Sequence, residues 1–129
     1  MSTAAAARTE QIEATVRRYL AAVGSGTAAE IAACYSPEAT LEDPVGSEPR
    51  RGREAIAEFF GPLEASRRST ELLTLRIGGG EAAFRFRVRT ELPDGAAESE
   101  PIDVMTFDAD GLITSMRAFW SEADVRTGV

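Results

Sequence analysis

Ala82-Ala83-Phe84-Arg85-Phe86-Arg87-Val88-Arg89-Thr90-Glu91-Leu92 reads with a period of two: Phe84, Phe86 and Val88 alternate with Arg85, Arg87 and Arg89. Successive side chains of a strand point to opposite faces, so the run predicts a strand with one apolar and one guanidinium face. Runs at 70–77, 97–107 and 112–121 share this strand character. Between them stand Gly78-Gly79-Gly80, Pro93-Asp94-Gly95 and Asp108-Ala109-Asp110-Gly111, each short enough to be a hairpin turn. Such short connections pair successive strands antiparallel, which predicts a four-stranded meander.

Ahead of the strands the period is helical. Ile12, Val16, Leu20 and Val23 predict an amphipathic helix over 8–23, with Tyr19 bordering its buried stripe. Gly24-Ser25-Gly26 stops that helix, and Thr27-Ala28-Ala29-Glu30 has the spacing of a capping box that starts another, ending near Cys34. The chain is expected to turn at Ser36-Pro37-Glu38, to form a short strand from Thr40 to Glu42, and to enter a third helix over 53–63. Helices followed by strands predict one α+β domain over residues 1–129. Three N-terminal helices then cover a curved antiparallel sheet and leave a conical cavity between the layers.

Composition narrows the chemistry. The net charge of −7 argues against a nucleic-acid partner, so the arginine row reads as a solvated or subunit-facing surface. The chain has no histidine, no lysine and no asparagine, and all 14 basic residues are arginine. This excludes Ser-His-Asp and Cys-His machinery, a lysine Schiff base, a Walker phosphate loop and a histidine metal site. Cys34 is the single cysteine, so neither an intrachain disulfide nor a cysteine metal cage is expected. No run approaches the ~18 apolar residues of a membrane span. The stretch Met1-Ser2-Thr3-Ala4-Ala5-Ala6-Ala7-Arg8 lacks the pattern of a secretion signal, and a cytoplasmic location is expected.

A carboxylate is the remaining carrier for protons near neutral pH. In Leu41-Glu42-Asp43-Pro44-Val45-Gly46-Ser47-Glu48-Pro49-Arg50, proline holds Asp43 in extended geometry at a strand end. Asp43 is the candidate base; a turn-initiating Asp-Pro is the simpler reading. In Pro101-Ile102-Asp103-Val104-Met105-Thr106-Phe107, alternation puts Asp103 on the same apolar face as Met105 and Phe107. A desolvated, unpaired carboxyl stays protonated and becomes a hydrogen-bond donor; an edge aspartate pointing at water is the alternative. For Tyr19 the simpler reading is a core-edge tyrosine whose hydroxyl reaches water. Were the three to converge, ionised Asp43 could take a proton next to a ketone while Tyr19 and neutral Asp103 donate to the enolate oxygen.

Four motifs carry a family resemblance: Arg18-Tyr19-Leu20-Ala21-Ala22, Glu42-Asp43-Pro44-Val45-Gly46, Pro101-Ile102-Asp103, and Ser115-Met116-Arg117-Ala118-Phe119-Trp120-Ser121-Glu122. In these the chain resembles the bacterial steroid Δ5-isomerases (ketosteroid isomerases) of the NTF2-like superfamily, which also holds SnoaL-type polyketide cyclases. The resemblance implies an NTF2-like, or cystatin-like, cone that works as a homodimer without cofactor or metal. It also implies a small hydrophobic ketone, a 3-oxo-Δ5-steroid, as substrate. By the same resemblance Asp43 is the proton shuttle, Tyr19 an oxyanion donor and Asp103 the protonated second donor. Phe60, Phe84, Phe86, Val88, Val104, Met116, Ala118 and Trp120 are then expected to line the steroid pocket. A tyrosine common in the family is Phe60 here, which removes one hydroxyl beside Tyr19; Tyr35 matches a tyrosine of some members and is expected to support Tyr19. A SnoaL-like polyketide cyclase and a non-catalytic steroid- or lipid-binding module are the alternative readings.

Overall fold

The helical stripe read from the sequence is the face on which the first helix packs. The computed structural model describes residues 3–129, and α1 (Thr3–Ser25) buries Ile12, Val16, Tyr19, Leu20 and Val23 against the sheet. Met1 and Ser2, part of the leader expectation, lie outside the described residues. Contact between α1 and the sheet is close at Gly24, where a Cβ would stand 2.9 Å from Thr70 Oγ1. Thr70 Oγ1 itself donates to Leu20 O at 2.7 Å. The capping box forms: Glu30 N donates to Thr27 Oγ1 at 3.1 Å and Thr27 N to Glu30 Oε1 at 2.9 Å, starting α2 (Ala28–Ala32).

Beyond α2 the structure departs from the expected turn. Ser36-Pro37-Glu38 belong to β1 (Tyr35–Glu42), a longer strand than predicted. Pro37 is tolerated because the pairing of β1 is irregular between Tyr35 and Thr40, where a missing N–H breaks no regular ladder. After β2 (Arg50–Arg51), the third helix α3 spans Arg53–Phe60 and tightens to a 3-10 turn over Gly61–Ala65. Arg68 donates to Val23 O, Leu63 O and Gly26 O, each at 2.6 Å, binding the end of α1 to this turn.

The strands follow as β3 (Arg68–Gly78), β4 (Glu81–Leu92), β5 (Gly95–Ser99), β6 (Ile102–Phe107), β7 (Ile113–Phe119) and β8 (Val125–Thr127). The expected run over 97–107 is therefore two strands: proline at 101 lacks an N–H, and the chain changes course there. β5 and β6 share one edge of β4, at 88–92 and 81–85, while β3 takes the other. All pairings are antiparallel except one, since β1 lies parallel to β7 with Leu41 opposite Met116. The sheet is thus mixed, a correction to the expected antiparallel one. Its order is β2-β1-β7-β6-β4-β5-β8, with β3 beside β4. Among the described residues no helix is long and apolar enough to cross a membrane.

Period-two alternation divides the sheet as read. Ala82, Phe84 and Phe86 are buried on the inner face of β4, and Arg85, Arg87 and Arg89 point outward. The outward arginines meet glutamates: Arg85 and Arg87 pair with Glu100, Arg87 also with Glu71, and Arg89 with Glu98.

Candidate active site

The end of β1 is fixed from several sides. Val45 N donates to Ala118 O at 2.8 Å, which ties the loop after β1 to β7. Glu42 accepts from Gly46 N at 2.8 Å and pairs with Arg117 at 3.4 Å. Between these anchors the Asp43–Pro44 peptide is cis. Adjacent carboxyls are tuned in opposite directions: the Gly46 N–H lowers Glu42 below its usual range, whereas burial raises Asp43 above its own. Trp120 Nε1 donates to Asp43 Oδ1 at 2.6 Å and partly offsets that rise by favouring the carboxylate.

Asp103 has no such help. It is 1% exposed on the inner face of β6, and neither carboxyl oxygen has a hydrogen-bond partner among the described residues. Burial pushes it well above the ordinary carboxylate range, and the charge of Asp43 adds to the rise. Both influences favour the protonated form, the one in which a carboxyl can donate a hydrogen bond. Tyr19, from α1, is also held un-ionised, chiefly by burial and then by Tyr35.

These three side chains border one cavity of about 340 Å³, in the size range of small-molecule sites. Its wall is mostly apolar and includes Phe60, Phe86, Val88, Ala118 and Trp120. Three residues expected on it lie elsewhere. Val104 alternates onto the face opposite Asp103, and Phe84 and Met116 are sealed into the core, each 1% exposed. Phe60 meets Tyr19 edge-on, with ring centroids 6.3 Å apart. Tyr35 packs edge-on against Tyr19 at 5.9 Å and stays off the cavity wall. Its buried hydroxyl finds no aligned partner among the described residues, yet the two phenols act on each other: the Tyr35 hydroxyl raises Tyr19, and Tyr19 lowers Tyr35.

Sequence reasoning missed the far wall. Val23, Leu63, Thr90, Ala97, Ser99 and Val125 also border the cavity. Thr90 continues the Phe84-Phe86-Val88 alternation and was legible from it, but which strands lie beside β4 is not encoded locally. Among the described residues no three histidine, cysteine, aspartate or glutamate side chains gather as a metal site requires.

A model of the SnoaL-like domain matches residues 16–116. The chain belongs to the SnoaL-like family. Within reach of that family's sequences, a steroid Delta-isomerase of Nocardioides simplex is 58% identical over 115 residues, covering 89% of this chain and 94% of that protein. Epoxide hydrolase LasB of Streptomyces lasalocidi is 30% identical over 139 residues, covering 90% of this chain but 49% of that enzyme. Among solved structures, the epoxide hydrolase/cyclase-like enzyme SalBIII of salinomycin pyran ring formation superposes with a TM-score of 0.82 at 28% identity, covering 91% of this chain and 95% of that one. RV0760c from Mycobacterium tuberculosis gives 0.81 at 19% identity over 90% and 95%, a likeness of fold alone. This SnoaL-like chain thus shares a scaffold with proteins of more than one activity, and its site must argue the function.

Proposed function

We propose that this protein is a steroid Δ5-isomerase, which moves the double bond of a 3-oxo-Δ5-steroid into conjugation with the ketone. The observation that carries the reading is the convergence of Tyr19, Asp43 and Asp103 on one apolar cavity, in a chain 58% identical to a steroid Delta-isomerase. Ionised Asp43 takes a proton from the carbon between the carbonyl and the double bond, and the electron pair left behind spreads into a dienolate. Tyr19 and neutral Asp103 donate to the oxygen as its charge grows. Asp43 then returns the proton to the far end of the dienolate, so no atom is gained or lost and no cofactor takes part. A positioned base contributes roughly 10²–10⁴-fold, and one oxyanion donor roughly 10²–10³-fold.

Burial raises the basicity of Asp43, while the Trp120 N–H keeps it ionised, so both effects serve a carboxylate that must accept and release one proton. The test is the rise of enone absorbance from androst-5-ene-3,17-dione. Asp43→Ala is expected to lower kcat by about 10²–10⁴-fold while a steroid phenol still binds. A wild-type rate equal to buffer would overturn the reading.

The proposal includes a single domain, a cytoplasmic location and a homodimer. For the dimer, Ile102 and Phe119 stand opposite each other on the outer face of the sheet and are 44% and 41% exposed, an apolar pair suited to a second copy. A second reading is favoured by LasB and SalBIII: a neutral acid beside a base could also open an epoxide. Turnover of an epoxide but not of the Δ5-ketone would select it.

A further inference from the structure

The cavity has a far end that proton transfer does not use. Asp103 pairs with Phe84 on β4, whereas Ser99 pairs with Val88, farther along the same strand and on the same face. At strand rise this offset is about 13 Å. Thr90, the next inward residue after Val88, extends the same row, and Ala97 lies opposite it. Both Ser99 and Thr90 border the cavity, and neither hydroxyl has a hydrogen-bond partner among the described residues.

The far end also offers no unpaired charge among the described residues. Glu98 borders it, but its carboxylate is bound by Arg89 at 2.9 Å and Arg126 at 2.7 Å on the outer face. No arginine lines the cavity. Nothing there would favour an anion, and two free hydroxyls facing an alkyl chain would lose water without replacement.

We propose that Ser99, with Thr90, is a specificity-determining pair that hydrogen-bonds a neutral oxygen at the end of the substrate remote from the reacting ketone. The inference rests on the isomerase reading and deepens it: the favoured substrates are rigid fused-ring ketones with a carbonyl or hydroxyl on the distal ring. Alkyl-tailed and carboxylate-tailed steroids are disfavoured.

Calorimetric binding tests this without turnover. Estrone and its counterpart lacking the distal carbonyl both present a phenol to Tyr19 and Asp103. The ratio of their Kd values is expected to shift by about 2- to 10-fold against estrone between wild type and the double variant S99A/T90V, the worth of one neutral hydrogen bond. Ser99→Thr, which keeps a hydroxyl, should hold the ratio near wild type and guards against a folding defect. An unchanged ratio in the double variant, tighter binding of a carboxylate-tailed phenol than of estrone, or no binding of either phenol overturns the proposal. Turnover of the Δ5-ketone by the same preparations reports separately on the isomerase: a ratio shift without turnover keeps the distal pair and removes the isomerase, and turnover without a shift does the reverse.

Discussion

Arg87 and Asp103 are ionisable residues of one sheet with opposite circumstances. On the outer face Arg87 is clasped by Glu71 at 2.9 Å and Glu100 at 3.1 Å, with 33% of its side chain open to water. On the inner face Asp103 has lost its water and met no cation. Outside, Arg85, Arg87 and Arg89 are matched and screened, so individual pairs contribute little. Inside, a group left unmatched keeps its proton and is available to a ligand. What separates a paired, solvated side chain from an unpaired, buried one here is the side of a pleat.

Removing the inner acid should break this contrast most. Asp103→Ala is expected to lower kcat by about 10²–10³-fold, whereas Asp103→Asn, still a donor, should lose clearly less. Stability should move the other way. Because the folded-state pKa of Asp103 is raised, the wild type loses stability as pH climbs from the unfolded carboxylate range toward that raised value. Asp103→Asn has no such loss, so in urea denaturation it should match wild type in acid and exceed it at neutral pH. Equal stability at both pH values would show that Asp103 is not a desolvated acid.

A smaller effect sharpens the contrast between the two inner carboxyls. Trp120→Phe removes the N–H that favours ionised Asp43, so the pKa of Asp43 should rise further. The base works only when ionised, so the acid limb of the kcat/KM profile should move to higher pH. An acid limb that stays in place would mean that Trp120 does not tune the base.

The smallest change is expected outside. Arg87→Ala breaks two surface pairs and should leave the urea midpoint nearly where it was, with kcat unaltered. A large drop in that midpoint would show that the outer ion pairs carry the fold.

The sequence made the two faces legible because alternation needs only neighbouring residues. The first helix and the capping box at Thr27 were legible for the same reason. Pro37 misled, since a proline in an irregular strand looks locally like one in a turn. The parallel contact of β1 with β7 had no local signature, nor did the far wall that Ser99 and Val125 supply, because both depend on which distant segments become neighbours. Asp43 and Asp103 were recognisable as unusual carboxyls, one by its proline and one by its apolar face. Only the folded chain brings both to a single cavity with Tyr19.

The parallel join between β1 and β7 also bears on when competence arises during folding. Asp43 and Trp120 are 77 residues apart in the chain and meet only after that join is made. Closing so large a loop costs entropy before any contact repays it, whereas the helices and the β3–β4 hairpin can form from nearby residues. A refolding chain should therefore recover its circular dichroism before its turnover, and a nascent chain lacking residues beyond 112 should hold Tyr19, Asp43 and Asp103 without the strand and the indole that set the base in place.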